Sequence, residues 1–166
     1  MKPLSLTLKN FGPYINETID FTKFEDSSLF LISGKTGSGK TTIFDGMSYA
    51  LFGESSGKLR LGKEMRSTFA DPSEATEVTL LFKHNEYLYE LNRLPEQELF
   101  KKRGTGVRKQ SAKISLIVKD AQGKELRAYS KRREVDELIQ ELLHLNANQF
   151  AQIVLLPQGE FRTFLI

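Results

Sequence analysis

The sequence predicts a mixed α/β fold, and three observations support this prediction. An apolar run at residues 29–32 precedes a glycine-rich stretch, and apolar residues then recur at helical spacing up to Gly53. Apolar and polar residues alternate in several short segments, as expected of antiparallel strands with one buried face. Residues 132–144 place apolar side chains at i, i+3, i+4, i+7 and i+8, which predicts an amphipathic helix.

The glycine-rich stretch is the segment most typical of one chemistry. Residues 34–41 read Gly-Lys-Thr-Gly-Ser-Gly-Lys-Thr and match the phosphate-binding pattern G-x-x-x-x-G-K-[ST]. The pattern follows a predicted buried strand and opens a predicted helix, which is the context that such a loop requires. We therefore predict a P-loop that binds a nucleotide through Gly34, Lys35, Thr36, Gly37, Ser38, Gly39, Lys40, Thr41 and Thr42.

Each residue type in this loop suits phosphate binding. Glycines let backbone N–H groups approach phosphate oxygens closely, and a helix start adds unpaired N–H groups and a positive dipole end. Lys40 is predicted to be catalytic because its ammonium would neutralise the β- and γ-phosphates. The hydroxyl of Thr41 is a hard oxygen ligand of the kind that Mg²⁺ prefers.

The rest of the chain predicts strands and one further helix. Residues 76–129 are interpreted as an antiparallel β insertion between the phosphate loop and the segment that completes the site. Ser130 is the predicted N-cap of the helix at about 132–144, in whose first turn Arg132 and Arg133 oppose the helix dipole; they are either a functional pair or tolerated exposed charges. The predicted strands are 3–9, 15–21, the hairpin 76–83 with 86–94, the pair 99–103 with 112–119, a strand near Leu126, and 150–156.

Composition excludes several classes of protein. The chain has 166 residues, 39% hydrophobic and 27% charged, which suits one globular domain. It has no cysteine, so disulfide frameworks and thiolate metal sites are excluded. No apolar run approaches the roughly 20 residues that a bilayer requires, and no signal region precedes the first strand. We therefore expect a cytoplasmic protein with no membrane partner.

The charge distribution suggests a polyanionic partner. Residues 1–98 carry a net charge of −3 and residues 99–166 a net charge of +6. Six basic residues flank a flexible Gly-Thr-Gly tip and could follow a DNA backbone without reading sequence, although a solvated hairpin explains them equally well. Residues 54–70 are interpreted as an irregular loop, lying either beside the nucleotide or in solvent. The candidate DNA-contacting residues are Lys101, Lys102, Arg103, Arg108, Lys109 and Lys113.

Three stretches resemble the SMC-like ATPases. Residues 4–11, Leu-Ser-Leu-Thr-Leu-Lys-Asn-Phe, are similar to the first strand of that family. Residues 39–53, which end in Leu-Phe-Gly, are similar to its phosphate loop and first helix. Residues 150–165, which contain Leu-Leu-Pro-Gln-Gly-Glu-Phe, resemble the glutamine loop of the SbcC family, the ATPase subunits of bacterial SbcCD nucleases. The chain is thus similar to the N-terminal half of an SbcC head.

The resemblance implies an ABC-type head half-domain that ends where a coiled coil begins, at about residue 160. In that family ATP lies between two heads, and the partner head supplies a signature motif. Thr41 and Gln158 would then ligate Mg²⁺, and Gln158 would also position the attacking water, a catalytic role that fits phosphoryl transfer. The implied partners are the C-terminal half of the same head, a second head in an ATP-dependent homodimer, an SbcD-like nuclease subunit and double-stranded DNA. The implied function is ATP hydrolysis that controls a nuclease acting on DNA ends and hairpins in repair, recombination and replication.

Departures from the family pattern define the alternatives. The sequence has no apolar run ending in Asp-Glu and no signature motif, so the fragment is expected to hydrolyse ATP poorly alone. Gly12 stands where family members often carry a basic residue. A DNA-tethering clamp, in which ATP only drives head dimerisation, is one alternative. A transporter-type ABC ATPase is another, and the long separation of Lys40 from Gln158 argues against it.

Overall fold

A computed structural model describes residues 1–24, 32–54 and 62–154. Two short 3₁₀ turns, Phe21–Phe24 and Gly62–Met65, accompany the longer elements. The helices are α1 (Lys40–Phe52), α2 (Arg132–Leu143) and α3 (Ala147–Val154). The strands are β1 (Lys2–Phe11), β2 (Tyr14–Asp20), β3 (Glu77–His84), β4 (Tyr87–Leu94), β5 (Gln97–Phe100), β6 (Val107–Gln110), β7 (Lys113–Lys119) and β8 (Glu125–Tyr129).

Six of these strands form one antiparallel sheet in the order β2-β1-β3-β4-β7-β8. A row of four directly paired leucines crosses four of its strands, and each leucine is 0% exposed. Because side chains alternate between the faces of a strand, this row places the apolar faces of these four strands on the same side. The four leucines are Leu6, Leu80, Leu91 and Leu116.

Helix α1 packs on this apolar face, and α2 packs beside it. Ile43, Met47 and Leu51 of α1 are buried against the sheet. Val135 and Ile139 provide the buried side of α2, which confirms the predicted amphipathic helix. Ile32, which closes the predicted strand at residues 29–32, is half-buried against the core but lies outside the strands; residues 29–31 lie outside the described part of the chain.

The pairing within residues 76–129 differs from the prediction in one respect. The hairpin of β3 and β4 is confirmed, as are the first two strands. The predicted pairing of 99–103 with 112–119 is wrong, because β5 pairs with β6 in a separate two-stranded sheet and β7 pairs with β4. Since β3 also pairs with β1, the strands of this region extend the sheet that starts at the N-terminus.

The predicted strand at 150–156 is wrong at its described residues, which belong to α3. The backbone N–H of Gln149 donates to Asn146 Oδ1 and the N–H of Asn146 donates to Gln149 Oε1, both at 2.9 Å. This reciprocal pair is a capping box, which satisfies two backbone donors at a helix start. The Asn-x-x-Gln spacing was therefore a helix signal that outweighed the apolar run after it.

Helix α2 begins at Arg132 as predicted, but its N-cap lies one residue later than predicted. Lys131, not Ser130, is the N-cap, because the N–H of Val135 donates to the Lys131 carbonyl at 3.1 Å. Arg132 and Arg133 each pair with an acidic residue one turn on, at 3.2 and 2.7 Å, which offsets their unfavourable place in the first turn. Within the described ranges, no helix is long and apolar enough to cross a bilayer.

Candidate functional site

The phosphate loop lies between Ile32 and α1, and its backbone takes conformations that glycine permits. Gly37 and Gly39 have φ angles of 84° and 91°, in the left-handed region that other residues seldom adopt. A Cβ built on Gly34 would lie 2.7 Å from Ser38 Oγ, so a larger residue at this position would clash with the Ser38 side chain. The motif glycines are thus required by the loop that this structure shows.

Lys40 lies at the end of this loop and folds over it. Its ammonium donates to the carbonyl oxygens of Gly34 at 2.6 Å and Lys35 at 2.9 Å. The Lys40 charge is therefore held against the backbone of the loop, beside carbonyl groups that carry only partial charges. An anion entering the loop would meet a full positive charge there.

Among the described residues, no side chain caps the start of α1, which lies at the same place. Its N-cap is Gly39, which has no side chain with which to cap the first turn. The N–H groups of Lys40, Thr41 and Thr42 precede Ile43, whose N–H donates to the Gly39 carbonyl at 3.3 Å. Helix-start N–H groups without a side-chain cap suit an anionic ligand.

The turn between β1 and β2 packs directly against the loop. The hydroxyl of Tyr14 donates to the Gly39 carbonyl at 3.1 Å, and burial, aided by the nearby Glu17 charge, raises the pKa of Tyr14. A Cβ on Gly39 would lie 2.7 Å from Pro13 Cγ, and a Cβ on Gly12 would lie 2.5 Å from Thr42 Cγ2. Gly12 thus permits close packing at a position where members of the resembling family often carry a basic residue.

The residues present fit a nucleoside triphosphate with Mg²⁺. The loop offers two glycines at positive φ, the ammonium of Lys40 and the start of a helix, and Thr41 is exposed at that helix start. Gln158, the other predicted Mg²⁺ ligand, lies outside the described residues, so the structure brings together eight adjoining loop residues, 34–41, and Thr42 after them.

Comparison with known proteins agrees with this geometry. Residues 5–166 match the family described as "AAA domain". The chain belongs to the AAA domain family. A relative from Lactococcus lactis is 48% identical over 99% of this chain, one from Vibrio cholerae 45% over 99%, and one from Staphylococcus aureus 47% over 100%. Each is named as the SbcC subunit of the nuclease SbcCD, which confirms the resemblance inferred from the sequence.

The similarity covers a small part of those relatives. The chain spans about 16% of the length of each of the three. What the complete relatives act on or assemble with therefore reaches this AAA domain only as a proposal.

The far end of α1 in this AAA domain is held by a buried arginine that the sequence analysis did not select. Arg93 of β4 is 4% exposed and donates to the carbonyls of Ala50 at 2.6 Å and Leu51 at 3.0 Å. It also donates to Asp136 of α2 at 2.6 Å. Burial lowers the pKa of the Arg93 guanidinium, and the hydrogen bond and charge of Asp136 oppose that shift. One sequence signal was present: Arg93 continues the inward-facing alternation of Tyr89 and Leu91.

Arg66 orders the segment that follows the second 3₁₀ turn. Its guanidinium donates to the carbonyls of Glu74 at 2.6 Å and Asp71 at 2.8 Å. Nearby, the N–H of Gly12 donates to the Met65 carbonyl at 2.7 Å. The end of the stretch interpreted as a loop thus supports the β1–β2 turn through Met65. Arg66 holds the segment that follows it by bonding to the carbonyls of Asp71 and Glu74.

The six candidate DNA-contacting residues are exposed but do not share one face. Lys101, Lys102 and Arg103 lie in the tip between β5 and β6, and Arg108 and Lys109 are neighbours on β6 whose side chains point to opposite faces. Lys113 starts β7 in the large sheet. Two of the six are in exposed ion pairs, Lys102 with Glu74 at 2.5 Å and Lys109 with Glu96 at 3.1 Å.

Proposed function

We propose that this chain is the ATP-binding half of an ATPase head, and the loop geometry at Lys40 carries the proposal. The Lys40 ammonium lies against the carbonyls of Gly34 and Lys35, and the glycine turns lead into a helix start with no side-chain cap, an arrangement that suits a triphosphate. Membership of the AAA domain family and the names of the relatives support the same conclusion. The oxygen of Thr41 and the amide of Gln158 would hold Mg²⁺, which neutralises phosphate charge when bound.

In this proposal the chain contributes binding and orientation, and hydrolysis needs groups from elsewhere. Lys40 would neutralise charge on the β- and γ-phosphates, and Gln158 would orient the attacking water without adding negative charge. The C-terminal half of the same head and a second head would complete the site. Head dimerisation would then control an SbcD-like nuclease acting on double-stranded DNA ends and hairpins, by analogy with the relatives' name.

ATP binding by the full-length protein tests the site. Lys40→Ala should weaken ATP binding by about tenfold or more, since it removes charge-assisted contacts of ~1.5–3 kcal/mol each. Lys124→Ala is the matched control, because Lys124 precedes β8 at the opposite end of the sheet. Equal ATP affinity in both variants would refute the assignment of the loop.

ATP turnover separates the proposed ATPase from the clamp alternative. The 166-residue chain alone should turn over ATP far more slowly than the full-length protein, because the completing groups are absent from its sequence. Gln158→Ala in the full-length protein should lower turnover more than ATP affinity. A full-length protein that binds ATP and dimerises without turnover would support a DNA-tethering clamp in place of the ATPase.

We also propose that the basic tip between β5 and β6, which carries Lys101, Lys102 and Arg103, contacts the DNA backbone. Three phosphate contacts give a slope of roughly −3 for log affinity against log salt, and the slope would reach roughly −5 if Arg108, Lys109 and Lys113 also made contact. The ion pairs of Lys102 and Lys109 do not prevent this, because exposed pairs contribute little and exchange readily. Reversing Lys101, Lys102 and Arg103 to Glu should flatten the slope by roughly 3, while Lys124→Glu should leave it near wild type. An unchanged slope in the triple variant would exclude this surface.

A further inference from the structure

The peptide unit between Gly39 and Lys40 is the junction at which the phosphate loop becomes α1. Gly39 has φ of 91° and no side chain, so little in its own chemistry restricts it. The only hydrogen bond from α1 itself to the Gly39 carbonyl, in the described part of the chain, is that of the Ile43 N–H, at 3.3 Å. First-turn bonds of helices are prone to fraying. This junction therefore needs a restraint from outside the helix.

Tyr14 supplies such a restraint from another element. Its hydroxyl donates to the same Gly39 carbonyl at 3.1 Å, in a partly buried position. Its ring lies close against Gly39, since a Cβ there would be 2.7 Å from the hydroxyl and 2.9 Å from Cζ. Tyr14 is fixed in turn by pairing with Phe11 across the β1–β2 turn. The hydroxyl is thus held by the large sheet and reaches the loop as a rigid donor.

The direction of this carbonyl determines the direction of the neighbouring N–H. A trans peptide is planar, and its C=O and N–H point in opposite directions. Holding the Gly39 carbonyl toward Tyr14 and Ile43 therefore holds the Lys40 N–H away from them, among the helix-start N–H groups that have no partner within the helix. A donor held in place before a ligand arrives costs less to order on binding.

We propose that Tyr14 is a positioning residue of the phosphate loop, which acts through the Gly39 carbonyl to orient the Lys40 N–H toward a bound phosphate chain. This inference rests on the proposed nucleotide site and specifies how that site is ordered. It also predicts that the Tyr14 hydroxyl strengthens the binding of the phosphate chain to the same extent whether or not the ligand carries a base.

The test compares two ligands in the full-length protein. Tyr14→Phe keeps the ring against Gly39 and removes only the hydroxyl, so affinity should fall about threefold to tenfold, as expected for one hydrogen bond. The fall should be the same for ATP and for inorganic tripolyphosphate, which carries no base. Amide hydrogen exchange at Lys40 in the ligand-free protein should also become faster. Tyr87→Phe is the matched control, because Tyr87 starts β4 at the other end of the sheet.

Each outcome either supports or overturns the inference. Equal losses for the two ligands, with faster exchange at Lys40, support it. A loss for ATP alone would show that Tyr14 acts on the base, and unchanged affinity for both ligands would show that its hydroxyl does not order the loop; both overturn it. Wild-type protein that is folded but binds neither ligand would instead refute the proposed nucleotide site, so the two failures are distinguishable.

Discussion

Replacing the buried Arg93 with Met should destabilise the chain more than substitutions of its exposed charged residues. Methionine keeps much of the length of the side chain but removes the guanidinium that binds the last turn of α1 and Asp136. The carbonyls of Ala50 and Leu51 would lose a charged donor. The guanidinium also packs tightly against the end of the helix, since a Cβ built on Gly53 would lie 3.2 Å from Arg93 Nη1.

The magnitude follows from these contacts. Two bonds from a charged donor to carbonyls contribute ~1.5–3 kcal/mol each, so the expected loss is about 3–6 kcal/mol in the free energy of unfolding. The bond to Asp136 adds less, because that carboxylate is 37% exposed and keeps a bond from Arg132 at 3.2 Å. Asp136→Asn should therefore cost much less than Arg93→Met.

Urea denaturation of the 166-residue chain measures the difference. Glu137→Gln is the control, since Glu137 forms an exposed pair with Arg133 on the same helix and should remain near wild type. A loss for Arg93→Met below about 1 kcal/mol, or a larger loss for Asp136→Asn than for Arg93→Met, would refute the view that Arg93 supports the end of α1.

Two further predictions follow from burial and from backbone geometry. Burial raises the pKa of Tyr49 to about 12, so this residue favours the folded state fully below the unfolded pKa near 10 and loses that contribution as pH rises toward 12. Free energies of unfolding from urea titrations at pH 8 and at rising pH above 10 should show an alkaline loss that approaches about 3 kcal/mol only near pH 12 and that is removed by Tyr49→Phe; parallel pH profiles for the two proteins would contradict this. Gly12→Ala should lower nucleotide affinity several-fold, because the new Cβ would lie 2.5 Å from Thr42 Cγ2. Gly104→Ala is the control, since a Cβ there meets no atom within 4 Å. At φ 81° it should cost about 1 kcal/mol of stability and leave nucleotide affinity unchanged.

Local sequence was sufficient wherever the physical constraint is local. The pattern at residues 34–41 predicted a loop that needs glycine at positive φ, and the structure has Gly37 and Gly39 there. Alternation predicted β1, β3 and β4, because a half-buried strand must change the character of its side chains at every residue. Helix α2 followed from its apolar spacing in the same way.

One local signal was present and was outweighed in the prediction. The apolar residues at 150–156 suggested a strand, but the side chains of Asn146 and Gln149 satisfy the first backbone donors of α3. Short apolar runs do not distinguish a strand from a buried helix, whereas the cap spacing does.

Long-range pairing was beyond the reach of the sequence. Nothing local states that β3 pairs with β1, that β5 and β6 leave the large sheet, or that β7 returns to β4. Nor does local pattern show that Arg93 reaches the carbonyls of α1, or that Tyr14 reaches Gly39, because these contacts join residues 42 or 43 positions and 25 positions apart. Eight consecutive residues, 34–41, therefore determine the chemistry of the phosphate loop. The contacts of Tyr14 and Arg93 that restrain the two ends of α1 depend on the tertiary structure, because only folding of the chain brings these strands within hydrogen-bond distance of the helix.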